Sequence, residues 1–142
     1  MKLLSGLKME FLPGSTDLAL LLLRVWSGLA MLFLHGWGKM VNFNQVAERF
    51  PALVGTPSLS LGLAVFAEVV CAVLLTLGLF TRFAALNLAV TMGIAFFAVH
   101  GGALSGENSG ELAFIYLATY AVLLLAGGGR FSVDARLGKK EG

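Results

Sequence analysis

The sequence predicts an all-α integral membrane protein, a four-helix antiparallel bundle with both ends on the cytoplasmic side. Three observations predict it. Of the 142 residues, 58% are hydrophobic and only 13% charged, with a mean hydropathy of +0.87, a balance that soluble domains of this size do not show. The apolar residues fall in four blocks, at about 17–38, 58–80, 83–100 and 111–127, each near the roughly 20 residues that cross a bilayer core. The basic residues between the blocks are unevenly placed. Lys2, Lys8, Arg82, Arg130, Arg136, Lys139 and Lys140 share one side, and only Lys39 and Arg49 the other, which sets the first group in the cytoplasm. Residues 1–142 are read as one membrane domain.

The elements follow in order. Lys2 and Lys8 precede an apolar run that superficially resembles a signal peptide. The run is long and lacks a small-residue cleavage pattern, so it is expected to stay as the first span. Ser15, Thr16 and Asp17 offer N-cap side chains for that helix, and Thr56 followed by Pro57 does the same for the second. Between them, Met40, Phe43, Val46, Ala47 and Phe50 recur at three and four spacing within residues 39–50. This predicts a short interfacial helix, either a plain surface lid or a gate for a lipid-soluble ligand. Leu77-Gly78-Leu79-Phe80-Thr81-Arg82 leaves so few linking residues that spans two and three must form a tight antiparallel hairpin. Gly127-Gly128-Gly129 stops the last span. The basic tail, residues 130–142, is expected to lie on the anionic inner leaflet or to be disordered.

Arg24 and Glu68 fall inside spans one and two, where an unpaired charge costs at least about 2.5 kcal/mol. At 1.5 Å per residue they lie roughly 10 and roughly 18 Å from the cytoplasmic helix ends, a gap much of which an arginine side chain can bridge. The same count sets Thr91 and Tyr120 near the level of Arg24, and Tyr116 near Glu68. Inward stripes are expected at Arg24, Gly28, Met31 and His35; Ala64, Glu68, Cys71 and Ala72; Asn87, Thr91, Ala95 and Ala98; and Tyr116, Thr119 and Tyr120. An Arg24 to Glu68 ion pair either fixes helix register or serves a function, binding the polar head of a substrate or relaying protons. Asn87 and Thr91 are read as interhelical hydrogen-bond partners.

His35 and His100 end spans one and three at a similar depth, with Glu107 and Glu111 beside the fourth. Imidazole and carboxylate together suit a divalent metal, and less readily a haem; the simpler reading is that both histidines cap helix ends. Trp37 is an interfacial anchor or a stacking platform. The single Cys71 allows no internal disulfide and no dithiol chemistry.

Leu22-Leu23-Arg24, His35-Gly36-Trp37-Gly38-Lys39, Ala67-Glu68-Val69, Leu77-Gly78-Leu79-Phe80-Thr81-Arg82 and Gly106-Glu107-Asn108-Ser109-Gly110-Glu111 together resemble the DoxX family over about residues 17–137. That resemblance implies a small four-helix protein of the bacterial inner membrane. It also implies an association with membrane redox systems, which include the small subunit of a thiosulfate to quinone oxidoreductase.

The reading that joins resemblance to residues is a redox-associated subunit binding a quinone between its helices. Arg24 and Glu68 would do the chemistry, and His35, Trp37, Thr91, Tyr116 and Tyr120 would contact the ligand. A small-solute or proton carrier and a noncatalytic scaffold that binds other subunits through small-residue faces are the competing readings. The partners expected are the lipid bilayer, redox subunits or further copies of the chain, and no nucleic acid.

Overall fold

The computed structural model describes residues 6–9 and 13–138; Lys2, Lys139 and Lys140 lie outside the described residues. Those residues are helical, with no strand among them. Three helices are long and apolar enough to cross a membrane: α1 (Thr16–Val41), α3 (Pro57–Leu77) and α4 (Thr81–Val99). Between α1 and α3 lies the short α2 (Phe43–Ala47), and α4 is followed by the apolar α5 (Glu111–Ala126) and the short α6 (Val133–Gly138). α5 has 16 residues. That is about 24 Å of helix at 1.5 Å per residue, less than the ~30 Å of an average hydrocarbon core.

Local chemistry sets the helix ends. The Ser15 hydroxyl accepts from Leu18 N–H at 3.2 Å, and Thr56 accepts from Leu59 N–H at 3.2 Å ahead of Pro57, so both predicted caps form. α3 ends on Gly78 at φ +72°, where Leu79 N–H reaches the Leu74 carbonyl and Gly78 N–H that of Leu75. This paired closure needs a left-handed residue. Gly78 is demanded twice, because a Cβ there would sit 2.6 Å from Ser132 Cβ and 3.0 Å from Arg24 Cζ.

The start of α4 departs from expectation, since its cap comes from the far end of the chain. Asp134 on α6 accepts from Phe80 N–H (2.7 Å), Thr81 N–H (2.8 Å) and the Thr81 hydroxyl (2.7 Å). A carboxylate there satisfies orphan donors and matches the helix dipole. The tail through Gly138 is therefore a docked helix rather than the disordered or leaflet-bound segment its charge suggested.

The predicted interfacial helix over 39–50 is also redrawn. Its first residues continue α1 as far as Val41, Asn42 turns the chain at φ −104° and ψ 32°, and only Phe43–Ala47 forms a separate helix.

The core interleaves small side chains, Ala67, Cys71 and Ala72 of α3, Ala84, Ala85 and Ala89 of α4 and Ala113 of α5, with larger ones that include Leu75, Leu88, Tyr120 and Leu123. Small faces let helices approach closely, which is how helices associate in lipid. The α4 stripe is corrected here. Its inward face is Ala84, Ala85, Leu88, Ala89, Met92 and Phe96, whereas Asn87, Thr91 and Ala95 are half-buried and Ala98 is exposed. Asn87 donates to Phe83 O at 2.9 Å and Thr91 to Asn87 O at 2.9 Å. Polar groups satisfied on their own helix yielded the interface to alanines.

Candidate functional site: an ion-paired cavity between α3 and α4

Arg24 and Glu68 are both buried, at 2% and 3% exposure, but they do not pair. The antiparallel register of α1 and α3 explains it. Gly28 lies against Ala72 and Thr76, and Gly36 against Glu68, where a Cβ would come 2.5 Å from the Glu68 carbonyl oxygen. Arg24 therefore faces the end of α3, eight residues beyond Glu68, about 12 Å along the axis.

At that end the Arg24 guanidinium is a structural clasp. It donates to the carbonyls of Leu75 (3.5 Å) and Thr76 at the close of α3, and of Gly128 (3.3 Å) and Phe131 (3.0 Å) in the segment after α5. Helix C-terminal carbonyls lack intrahelical partners and carry the negative end of the dipole, so a forked cation suits them. Nearby, Asp17 accepts from Arg130 N–H at 2.9 Å.

The partner of Glu68 is Lys39, a residue to which the sequence assigned no role at the site. Its Nζ lies 2.6 Å from both carboxylate oxygens, with Lys39 29% exposed and Glu68 3%. One signal was available: Lys39 is one helical turn beyond His35 and so shares its face. What hid it is a π-helical stretch, Leu32–Gly36, that carries α1 unbroken past the predicted end of the span.

Two further π-helical stretches occur, Phe66–Cys71 containing Glu68, and Ala95–Val99, which ends against His100. Such widened turns are concentrated at functional sites in proteins, and here they set His35 and Glu68 and lead into His100.

A cavity of about 240 Å³ adjoins the ion pair. Glu68, Lys39, Ser60, Thr91 and His100 are its polar lining; Leu63, Ala64, Ile94, Ala95 and Val99 of α3 and α4 form apolar walls, and Phe50, Pro51, Leu53 and Val54 a roof. Ser60 holds the roof in place, its hydroxyl accepting from Val54 N–H (2.9 Å) and donating to Val54 O (3.1 Å). Leu63, Ile94 and Val99 are also 49%, 39% and 43% exposed. The cavity thus sets partly exposed apolar walls beside the Lys39 and Glu68 pair.

Of the sequence-predicted site residues, Glu68, Thr91 and His100 line this cavity, whereas His35, Trp37, Tyr116 and Tyr120 do not. His35 meets Tyr116 edge-on with ring centroids 5.6 Å apart, and Tyr116 stacks on Tyr120 at 5.8 Å. Tyr120 donates to Ser27 O at 3.3 Å. These rings form a second polar row between α1 and α5. Trp37 is half exposed.

The four-residue metal set is not assembled. Among the described residues no group of three or more His, Cys, Asp or Glu side chains comes together. His100 faces the Asn108 carbonyl at 3.2 Å, and Glu107 and Glu111 are exposed.

Long apolar helices around a buried ion pair define a helical membrane protein. The chain belongs to the DoxX family, whose model matches residues 19–101. It is 34% identical over 115 residues to an uncharacterized protein of Haemophilus influenzae, covering 78% of this chain and 84% of that one. A second uncharacterized protein of the same organism is 29% identical over 110 residues, covering 75% and 73%. No solved structure matches the chain.

Proposed function

We propose that this chain is a bacterial inner-membrane subunit that binds a quinone-like, lipid-soluble ligand in the cavity beside Lys39 and Glu68, within a membrane redox system. The observation that carries the reading is that one cavity is lined both by partly exposed apolar residues of α3 and α4 and by the Lys39 and Glu68 pair. Such a lining suits a ring with polar substituents and an apolar tail that trails into lipid. The redox association is what the family resemblance implies. α5 is taken as a fourth crossing, its shortness met by local thinning of the bilayer. Lys8, Arg82, Arg130 and Arg136 then face the cytoplasm.

The carrier reading is less well supported. Between the levels of Glu68 and Arg24, the side chains of Met31, Cys71 and Ala72 are apolar and at most 1% exposed, which is poor lining for an ion path. A scaffold, by contrast, would bind no small ligand.

The test is a titration of the detergent-purified full chain with a short-tailed benzoquinone, followed by quenching of tryptophan fluorescence. Saturable quenching is expected, and Ala64→Phe, which fills the cavity from α3, should weaken it at least about tenfold, about 1.4 kcal/mol. Quenching that stays linear in ligand contradicts the proposal.

A further inference from the structure

We propose that the cavity selects the reduced, hydroxyl-bearing form of its ligand, a hydroquinone, over the quinone. This rests on the quinone-like reading above and adds the redox form the site holds. The basis is the count of hydrogen-bonding atoms the cavity has left to offer.

Its acceptors are many. His100 Nδ1 lies 3.2 Å from the backbone carbonyl of Asn108, and a carbonyl can only accept. The proton of the neutral ring is thereby assigned to Nδ1, which leaves Nε2 as an acceptor. The Thr91 hydroxyl spends its proton on Asn87 O at 2.9 Å, so its oxygen can only accept. The Ser60 hydroxyl is already matched, donating to Val54 O at 3.1 Å and accepting from Val54 N–H at 2.9 Å. Both Glu68 oxygens accept from Lys39, and each keeps a further lone pair.

Donors are few. Lys39 has three N–H bonds, two of them directed at Glu68, so one is left to face a ligand. The described side chains that line the cavity thus leave His100 Nε2, the Thr91 hydroxyl and the two Glu68 oxygens as acceptors, four atoms against one uncommitted donor.

A quinone carries carbonyl oxygens and no donor, so it can use the single Lys39 N–H and adds no bond to the acceptors. A hydroquinone carries two O–H groups. One can donate to Glu68 or to His100 Nε2 while its oxygen accepts from Lys39. Hydrogen bonds to charged groups are the strong ones, and only the hydroxyl-bearing form can donate one to Glu68. A site of this composition therefore discriminates by proton inventory, as polar pockets do.

The experiment compares three ligands of one ring and tail on the full chain in detergent, under anaerobic conditions: a decyl-substituted benzoquinone, its hydroquinone, and the dimethyl ether of that hydroquinone. Binding is measured by calorimetry. The hydroquinone should bind at least about tenfold more tightly than the quinone, and the ether no more tightly than the quinone. Equal or tighter binding of the quinone overturns this inference and leaves the ligand class standing. An ether that matches the hydroquinone also overturns it, because shape rather than proton donation would then decide. If none of the three binds saturably, both this inference and the proposed function fall.

His100→Phe should reduce the preference to within about threefold, since one of the strongest accepting groups is gone. Because His100 also holds Asn108 in the loop after α4, Glu68→Gln provides a second variant. It exchanges one accepting oxygen for a donating amide and should narrow the preference too. A preference unchanged in both variants overturns the assignment.

Discussion

Lys39 Nζ lies 2.6 Å from both carboxylate oxygens of Glu68, and the two residues differ tenfold in exposure, 29% against 3%. The asymmetry decides what each loss would do. Lys39 can extend its flexible stem toward water if Glu68 is removed, whereas Glu68 has nowhere to go if Lys39 is removed.

Lys39→Met should therefore destabilise the protein more than Glu68→Gln. The expected cost is about 3 kcal/mol for a buried carboxylate stripped of its partner, against about 1 kcal/mol for the neutral amide. Removing both charges together, as Lys39→Met with Glu68→Met, should recover much of the loss. Thermal unfolding in detergent checks the order; a Glu68→Gln protein less stable than Lys39→Met would contradict it.

Gly36 should tolerate no side chain. A Cβ there meets the Glu68 backbone 2.5 Å away, with Val69 Cγ2 at 2.9 Å, so Gly36→Ala must push α1 and α3 apart beside the ion pair. A loss of about 1–3 kcal/mol, the usual range for overpacking, is expected together with weakened ligand binding. Gly62→Ala on α3 and Gly93→Ala on α4, each with nothing within 4 Å, should be neutral or slightly stabilising. Parallel melts of the three variants separate close packing from helix propensity.

The Asp134 cap predicts a link between the C-terminal segment and α4. Asp134→Ala removes the acceptor for Phe80 N–H, Thr81 N–H and the Thr81 hydroxyl, and should cost about 1–2 kcal/mol. Hydrogen exchange should rise first at the amides of Phe80 and Thr81. Protection unchanged there would show that another group caps α4.

Much of this architecture was legible in local sequence. Ser15 and Thr56-Pro57 announce helix starts, and Gly78 announces the closure between α3 and α4, because each acts on neighbours a few residues away. The features that were not legible are non-local. Asp134 caps a helix 53 residues earlier in the chain, and nothing in its own neighbourhood marks it for that task. The Arg24 to Glu68 pair failed for a related reason: depth counted along single helices says nothing about register, which Gly28 and Gly36 set by their close approach to α3. The three π-helical stretches leave no periodic signature in so apolar a chain, and one of them carried Lys39 past the expected end of its helix. Thr91 and His100 were rightly singled out as polar, while the wall they share with Leu63 and Ala64 appears only once α3 and α4 are side by side.

Arg24 and the cavity should prove separable. Arg24→Lys loses the fork that spans the carbonyls of Leu75, Thr76, Gly128 and Phe131, and should cost about 1.5–3 kcal/mol for a lost charged hydrogen bond. Faster tryptic cleavage at Arg130 and Arg136 should accompany it. Ligand affinity should stay within about twofold, because sites more than 7–10 Å apart with no shared partner act independently. A large affinity loss in Arg24→Lys would mean that the two ends of the bundle are coupled.

On the proposed function, a lipid-soluble ring enters between α3 and α4 and stops at Lys39 and Glu68. Photolabelling tests it most directly, with a short-tailed azido-quinone activated on the full chain in detergent and the modified peptides mapped by mass spectrometry. Labels at Leu63, Ala64, Ile94, Ala95 or Val99, reduced by excess unlabelled ligand, are the predicted result. Labels that fall instead along α5 or near Arg24, or that excess ligand does not reduce, would contradict it.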